Sequence, residues 1–302
     1  MTKTYLITPG ELNSVGLEVT LKALSSVEIK DSYIFYTQEN QLQEHVQGLT
    51  LNINPVEIPE VQIGLKPGIY YIESKKEPVD WFKEACVFCA HHFKEAALIT
   101  GPLIKSSFKD SKILGHTEYL RSLYKNSNLF MTFFGKTYNC LLLNDHIPLS
   151  EVSSSLSTEK IDDALKLLTP FSNVKKNALL GLNPHAGEDG LLGDEELKIH
   201  NSVCSANDFL DGPLSPDGFF SKEIYEKYNF IIANYHDQGL IPFKLINGFN
   251  ASQATLGLPF VRTSVDHGTS ETLYMKFKAN PDSMIHAIKL AQDLLSKKSM
   301  EK

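Results

Sequence analysis

Three apolar runs in this sequence end in the same tripeptide. Leu141-Leu142-Leu143 runs into Asn144-Asp145-His146, Leu180-Gly181-Leu182 into Asn183-Pro184-His185, and Ile231-Ile232-Ala233 into Asn234-Tyr235-His236. With 18 Asn and 10 His in 302 residues, chance gives roughly 0.6 such tripeptides, so three at equivalent places form a pattern. A lone histidine in a polar loop is usually just solvated. Three neutral imidazoles converging on one point would make a borderline-metal site with coordination positions left for substrate. Ligand softness makes zinc the first expectation, with magnesium, manganese or cobalt as alternatives. The neighbouring Asp145 and Asp237 are candidate outer or additional ligands, and Asp237 is also a candidate catalytic group.

Positive charge recurs beside other apolar runs. Thr100-Gly101-Pro102-Leu103-Ile104-Lys105 follows one run, Lys244 comes eight residues after His236, and Arg262 precedes Thr263-Ser264. Lysine and arginine at strand ends suit a phosphate or carboxylate, which arginine engages bidentately. Gly115-His116-Thr117-Glu118-Tyr119-Leu120 opens a helical pattern whose first backbone N–H groups favour an anion. Other nucleotide and nucleophile signatures are missing. The segment from Gly101 to Ser106 lacks the second glycine of a Walker A loop, and there is neither G-x-G-x-x-G nor G-x-S-x-G.

The elements that must position these groups read as alternating strands and helices. Tyr5–Thr8, Tyr33–Tyr36, Ala97–Thr100, Cys140–Leu143, Ala178–Leu182 and Phe230–Ala233 are short apolar runs without alternation, as expected of strands buried on both faces. Between them, Leu17–Leu24, Ile161–Leu168 and Pro281–Leu295 are amphipathic. The fold class is therefore α/β with a largely parallel sheet, and 302 residues suggest two domains. Residues 52–67 read as an irregular excursion, and Ser150–Thr158 as a solvated loop. Cys86-Val87-Phe88-Cys89 reads as buried thiols on a helix, since no second CxxC accompanies it. Four cysteines are too few for a disulfide scaffold, so a reducing cytoplasm is expected. The net charge of −7 opposes a general nucleic-acid partner or anionic membrane surface, and no run is long enough for a membrane span.

Taken together, the motifs resemble the 4-hydroxythreonine-4-phosphate dehydrogenase family. The resemblance is carried by Thr100-Gly101-Pro102…Lys105, Gly115-His116-Thr117-Glu118, Gly181–Glu188, Tyr235-His236-Asp237-Gln238-Gly239-Leu240 and Gly257–Thr269. They run in order from about residue 96 to 270, while the amino-terminal hundred residues match weakly. The resemblance implies a two-domain α/β/α fold like that of isocitrate and isopropylmalate dehydrogenases. Residues 1–112 with 259–302 would form one domain, and 113–258 a second carrying metal ligands and dimer contacts. It implies NAD-dependent oxidation, or NADP in its place, of the C3 hydroxyl of 4-phosphooxy-L-threonine, followed by loss of CO2, in vitamin B6 biosynthesis. A homodimer would share each site: His146 and His185 from one subunit and His236 from the other hold the ion. Substrate contacts fall on His116, Thr117, Lys244, Gln253 and Arg262, and Asp237 and Lys244 are the catalytic candidates. The cofactor would meet Asp266, His267, Gly268 and Thr269.

Departures from the family pattern mark where this chain differs. Gly10–Glu18 keeps the family's glycines and final acid but loses two prolines and an aspartate. Gln253 stands where relatives carry asparagine, and Ser270–Tyr274 replaces an Ala-x-Asp-Ile-Ala segment. The rival readings are a dehydrogenase of threonate or erythronate 4-phosphate, an acyl-phosphate transferase on a related fold, and a non-catalytic metal-binding relative.

Overall fold

The structure, a computed structural model, describes residues 2–108, 113, 115–125, 128–171, 175–248 and 251–300, without the side chains of Lys105, His200 and Asn201. In chain order the strands are β1 (Thr4–Thr8), β2 (Ser32–Thr37), β3 (Val56–Glu57), β4 (Gly68–Glu73), β5 (Ala96–Thr100) and β6 (Phe130–Gly135). They continue as β7 (Asn139–Leu142), β8 (Asn177–Leu180), β9 (Leu210–Leu214), β10 (Phe230–Ala233), β11 (Ala251–Leu256) and β12 (Val261–Ser264). The chain forms two compact units, 1–125 with 252–302, and 126–251. The division expected from the sequence lay at 112/113 and 258/259, and residue 112 is outside the described residues.

In the first unit the strand order is β3-β4-β2-β1-β5-β12-β11. All neighbours are parallel except the β11/β12 pair. Leu6, Ile7, Ile34, Phe35, Leu98 and Ile99 are fully buried, which is why these strands show no polar alternation. Helices Pro78–His91 and Asp282–Met300 pack on β5. The first opens with proline in its first turn after an extended Glu77, where the missing N–H costs nothing. Cys86 and Cys89 lie buried and free on it, as the sequence indicated. Gly10, with φ +98°, lets the chain after β1 approach the chain after β5, because a Cβ there would sit 2.1 Å from the Pro102 carbonyl oxygen. That contact explains why the altered amino-terminal segment still keeps its glycine.

In the second unit the order is β6-β7-β10-β8-β9, parallel apart from β6/β7. Its core joins Phe133, Tyr138, Phe219 and Phe243 to the apolar strand residues, each such ring contributing about 1.5–3 kcal/mol by leaving water. Helix His236–Asn247 packs on β7 and β10. The stretch read as a solvated loop, Ser150–Thr158, instead contains the short helix Val152–Ser155 and the start of Thr158–Leu168. Val152 is buried, and the Ser157 hydroxyl caps the second helix by accepting from the Lys160 N–H at 3.2 Å. Ser157 is a capping residue, a role composition does not separate from solvation.

Candidate active site

The Asn-x-His pattern has a division of labour. Asn144, after β7, donates its side-chain amide to the Asn234 carbonyl at 3.0 Å. Asn234, after β10, donates to the Leu180 carbonyl at 2.8 Å, and Gln238 donates to the Gly181 carbonyl at 2.7 Å. The asparagines thus stitch together the carboxyl ends of β7, β10 and β8, where open parallel sheets place ligands. Each histidine follows two residues later.

The His146 and His236 rings lie 5.8 Å apart, centroid to centroid, a spacing two imidazoles can adopt when they share an ion at zinc–nitrogen bond lengths. His236 sets its Nδ1 2.7 Å from an Asp237 carboxylate oxygen, leaving Nε2 as the ring nitrogen a ligand would use. Asp237 therefore occupies the place of a carboxylate that would orient a metal-ligating histidine. His185 has Glu188 3.7 Å from its Nδ1. Asp145, nearly buried, accepts from the His146 N–H at 2.7 Å. An imidazole backed by a carboxylate, as His236 is by Asp237, fits a borderline divalent ion. Among the described residues of the single chain, no three His, Cys, Asp or Glu side chains group to hold a metal. The resemblance assigns His236 to the partner, whereas within this chain its ring already adjoins that of His146. Lys244 is exposed on the helix that His236 opens, two turns further on.

His185 sits in an unusual backbone. Residues 185–190 all have positive φ: 52° at His185, 54° at Ala186, 79° at Gly187, 46° at Glu188, 54° at Asp189 and 91° at Gly190. The segment is a left-handed turn, which costs about 1–2 kcal/mol for each residue bearing a Cβ. Such strain persists only where surrounding contacts enforce it.

The first unit gathers the anion-binding candidates. Arg262, second residue of β12, is buried, whereas the sequence suggested a strand-end cation. Its guanidinium donates to the Thr255 hydroxyl at 3.0 Å and the Thr100 hydroxyl at 2.7 Å, and its Nε has no partner. Burial pulls its pKa down to about 10. His116 opens helix His116–Leu123 with its ring edge-on to Phe82 at 4.6 Å and its Nε2 sealed without a partner. Burial, then the Arg262 charge, holds His116 well below the ordinary histidine range, so it is neutral. Thr117 beside it is buried. Gln253 accepts from the Ser264 hydroxyl at 2.7 Å through Oε1, and its buried Nε2 is unpaired. Buried polar atoms are normally paired, so the Arg262 Nε and the Nε2 atoms of His116 and Gln253 are candidate contacts for a small anion. The Lys105 side chain of the Thr-Gly-Pro motif lies outside the described residues.

After β12 comes the loop Asp266–Thr269. The Asp266 N–H is held by Ser283 at 2.8 Å, the Thr269 carbonyl accepts from the Val15 N–H at 3.1 Å, and the His267 Nε2 is buried and unpaired. A Cβ at Gly268 would meet nothing within 4 Å. Open backbone beside an unpaired ring nitrogen fits a polar cofactor edge. Sequence reasoning missed Thr100, Thr255 and Ser264 as the groups that hold Arg262 and Gln253. The signal was the period-two spacing of Gln253 with Thr255 and of Arg262 with Ser264 on paired strands.

The sequence model of the family described as pyridoxal phosphate biosynthetic protein PdxA matches residues 12–291. The chain belongs to this family. A 4-hydroxythreonine-4-phosphate dehydrogenase from Sulfurimonas denitrificans is 36% identical, covering 94% of this chain and 95% of its own. A D-threonate 4-phosphate dehydrogenase from Pectobacterium atrosepticum is 29% identical over 97% of this chain and 100% of its own. The crystal structure of 4-hydroxythreonine-4-phosphate dehydrogenase from Klebsiella pneumoniae superposes with a TM-score of 0.79 at 26% identity, covering 98% of each chain. Isocitrate dehydrogenase from Methylococcus capsulatus, at 14% identity and a TM-score of 0.52 over 98% of this chain and 86% of its own, shares the fold alone. The α/β fold class expected from the sequence, of the isocitrate dehydrogenase kind, is the one observed.

Proposed function

We propose that this PdxA-family chain is an NAD-dependent 4-hydroxythreonine-4-phosphate dehydrogenase of the cytoplasm, working as a homodimer in pyridoxal phosphate biosynthesis. It oxidises the C3 hydroxyl of 4-phosphooxy-L-threonine, and the β-keto acid loses CO2 to give 3-amino-2-oxopropyl phosphate. The observation that carries this reading is the buried Arg262 guanidinium with the unpaired Nε2 atoms of His116 and Gln253. A desolvated cation and neutral donors favour a compact oxyanion, because each charged hydrogen bond formed there recovers a standing desolvation cost.

His116, Thr117, Gln253 and Arg262 bind the substrate's anionic and polar groups, and Lys244 is a further substrate-binding candidate. The rigid strands beneath them turn binding energy into orientation of the C3–H bond. His146, His185 and His236 would hold a divalent ion, zinc by preference, with His236 supplied across the dimer interface. When bound, that ion supplies Lewis-acid polarisation of the C3 oxygen and of the charge left by decarboxylation. Asp266, His267, Gly268 and Thr269 would hold NAD, which when bound would supply the hydride acceptor. Asp237 keeps the His236 imidazole in one orientation, and Lys244 is the candidate to hold or move the hydroxyl proton. Exposed Leu191, Leu192, Leu197, Ile241 and Leu245 in the second unit support a partner subunit covering that surface.

The test is NADH formation with zinc and, in parallel, 4-phosphooxy-L-threonine, D-threonate 4-phosphate and erythronate 4-phosphate. Turnover with the amino acid substrate supports the proposal. Turnover with only the non-amino acids would reassign the substrate, and the relative named for threonate makes that arm necessary.

A further inference from the structure

The left-handed turn that carries His185 packs against one buried carboxylate, Glu196. Glu196, four per cent exposed, accepts from the Asn183 backbone N–H at 2.6 Å and from the Asn183 side-chain amide at 2.9 Å. Glu195 takes the same amide at 2.9 Å from its other side and is itself fixed by the Ser153 hydroxyl at 2.7 Å. A Cβ on Gly187, at the centre of the turn, would lie 2.7 Å from a Glu196 oxygen, so the carboxylate fills the space beneath it. On the opposite side, Gly181 lets the turn close, since its Cβ would come within 2.8 Å of the Ala186 Cα. Asn183 is the residue from which the turn springs, and the Ala186 N–H already bonds back to its carbonyl at 3.1 Å.

We propose that Glu196 is a positioning residue for the divalent ion: by clamping Asn183 and filling the space under Gly187, it forces residues 185–190 into the left-handed turn and so fixes where the His185 imidazole stands. Without the clamp, the four residues of the turn that bear a Cβ relax towards right-handed backbone, and His185 leaves the ion's reach. The inference rests on the reading of His185 as an ion ligand, and it adds a residue that touches neither ion nor substrate. A carboxylate buried without an ion-pair partner among the described residues is costly to keep, which fits a role in enforcing strain.

The test measures zinc affinity of the full-length protein by competition with a chromogenic chelator. Glu196→Gln, which cannot accept from both Asn183 donors, should bind zinc ten- to a hundredfold more weakly, the usual loss when an outer partner of a ligand is removed. At saturating zinc its kcat should return towards that of the parent. Adding Ala186→Gly should restore part of the affinity, because glycine adopts the left-handed backbone freely. A merely structural role would not be rescued by a substitution that raises chain entropy. If Glu196→Gln does not fold, Glu196→Asp, which withdraws the carboxylate by one methylene, is measured in the same way. Zinc affinity equal to the parent's in the folded variant, or no recovery with Ala186→Gly, would overturn the proposal. His185→Ala runs alongside: if zinc binding survives in it, the ion site itself is wrong and both readings fall. If zinc is lost there but unchanged in the Glu196 variants, only the positioning role falls.

Discussion

The Arg262 guanidinium donates to the Thr100 hydroxyl at 2.7 Å inside the protein, and among the described residues no carboxylate is paired with it. Its neighbours are a hydroxyl on either side, the Cys86 thiol that burial pushes up to about 12, and neutral His116, and the Glu118 charge only partly offsets its burial. A buried cation so placed costs stability until an anion arrives. Arg262→Met should therefore leave the ligand-free melting temperature unchanged or raised. It should also increase KM for the phosphorylated substrate at least tenfold, in line with about 1.5–3 kcal/mol for a charged hydrogen bond. Inorganic phosphate should raise the melting temperature of the parent but not of the variant. A strongly destabilised variant with normal KM would mean that Arg262 is a structural residue only.

Neutral His116 makes a pH signature. Its folded pKa is depressed, first by burial and then by Arg262, so on acidification the unfolded chain takes up a proton near the ordinary value of 6.5 while the folded protein refuses it. The stability it confers is complete above that pH and is lost as the pH falls below it, by at most about 1.4 kcal/mol per pH unit for one group. His286, depressed mainly by burial, acts in the same direction. Chemical denaturation across this range should show a shallower acid-side fall in His116→Gln than in the parent. An identical slope would mean that His116 protonates freely.

Ser264 should matter to binding more than to chemistry. Its hydroxyl fixes the Gln253 oxygen, which leaves the buried Gln253 amide nitrogen as the unpaired donor. Ser264→Ala frees that side chain, so KM should rise by about three- to tenfold, near 1 kcal/mol for one hydrogen bond, with kcat almost unchanged. Equal losses in both constants would place Gln253 in transition-state stabilisation instead.

Sharing of histidines across a dimer predicts complementation. His185→Ala and His236→Ala are each expected to be inactive. Mixed and refolded together, they form hybrid dimers in which one site has all three histidines, and about a quarter of the parent activity should return. No return of activity would place His236 in its own chain's site, beside the His146 ring 5.8 Å away.

Much of this was legible in the sequence because its signals were chemical. Unbroken apolar runs such as Leu98-Ile99 gave the buried parallel strands, and the repeated Asn-x-His marked three strand ends that the asparagines join. What escaped was structure made by polar residues. β11 and β12 are buried although they read Ala-Ser-Gln-Ala-Thr-Leu and Val-Arg-Thr-Ser, because their side chains partner one another around Arg262. An apolar-run criterion passes over such strands. The left-handed turn after Asn183 was equally hidden, since Glu196, which enforces it, looks like any surface acid on a helix until its burial is known.

X-ray diffraction from zinc-soaked crystals, with anomalous data collected on either side of the zinc absorption edge, tests the account most directly. It predicts one anomalous peak per site, bonded by His146, His185 and His236 nitrogens at about 2.0–2.1 Å, with the third ring drawn from the neighbouring subunit. A peak that leaves any of those three rings unbonded, or no peak near them, would contradict it.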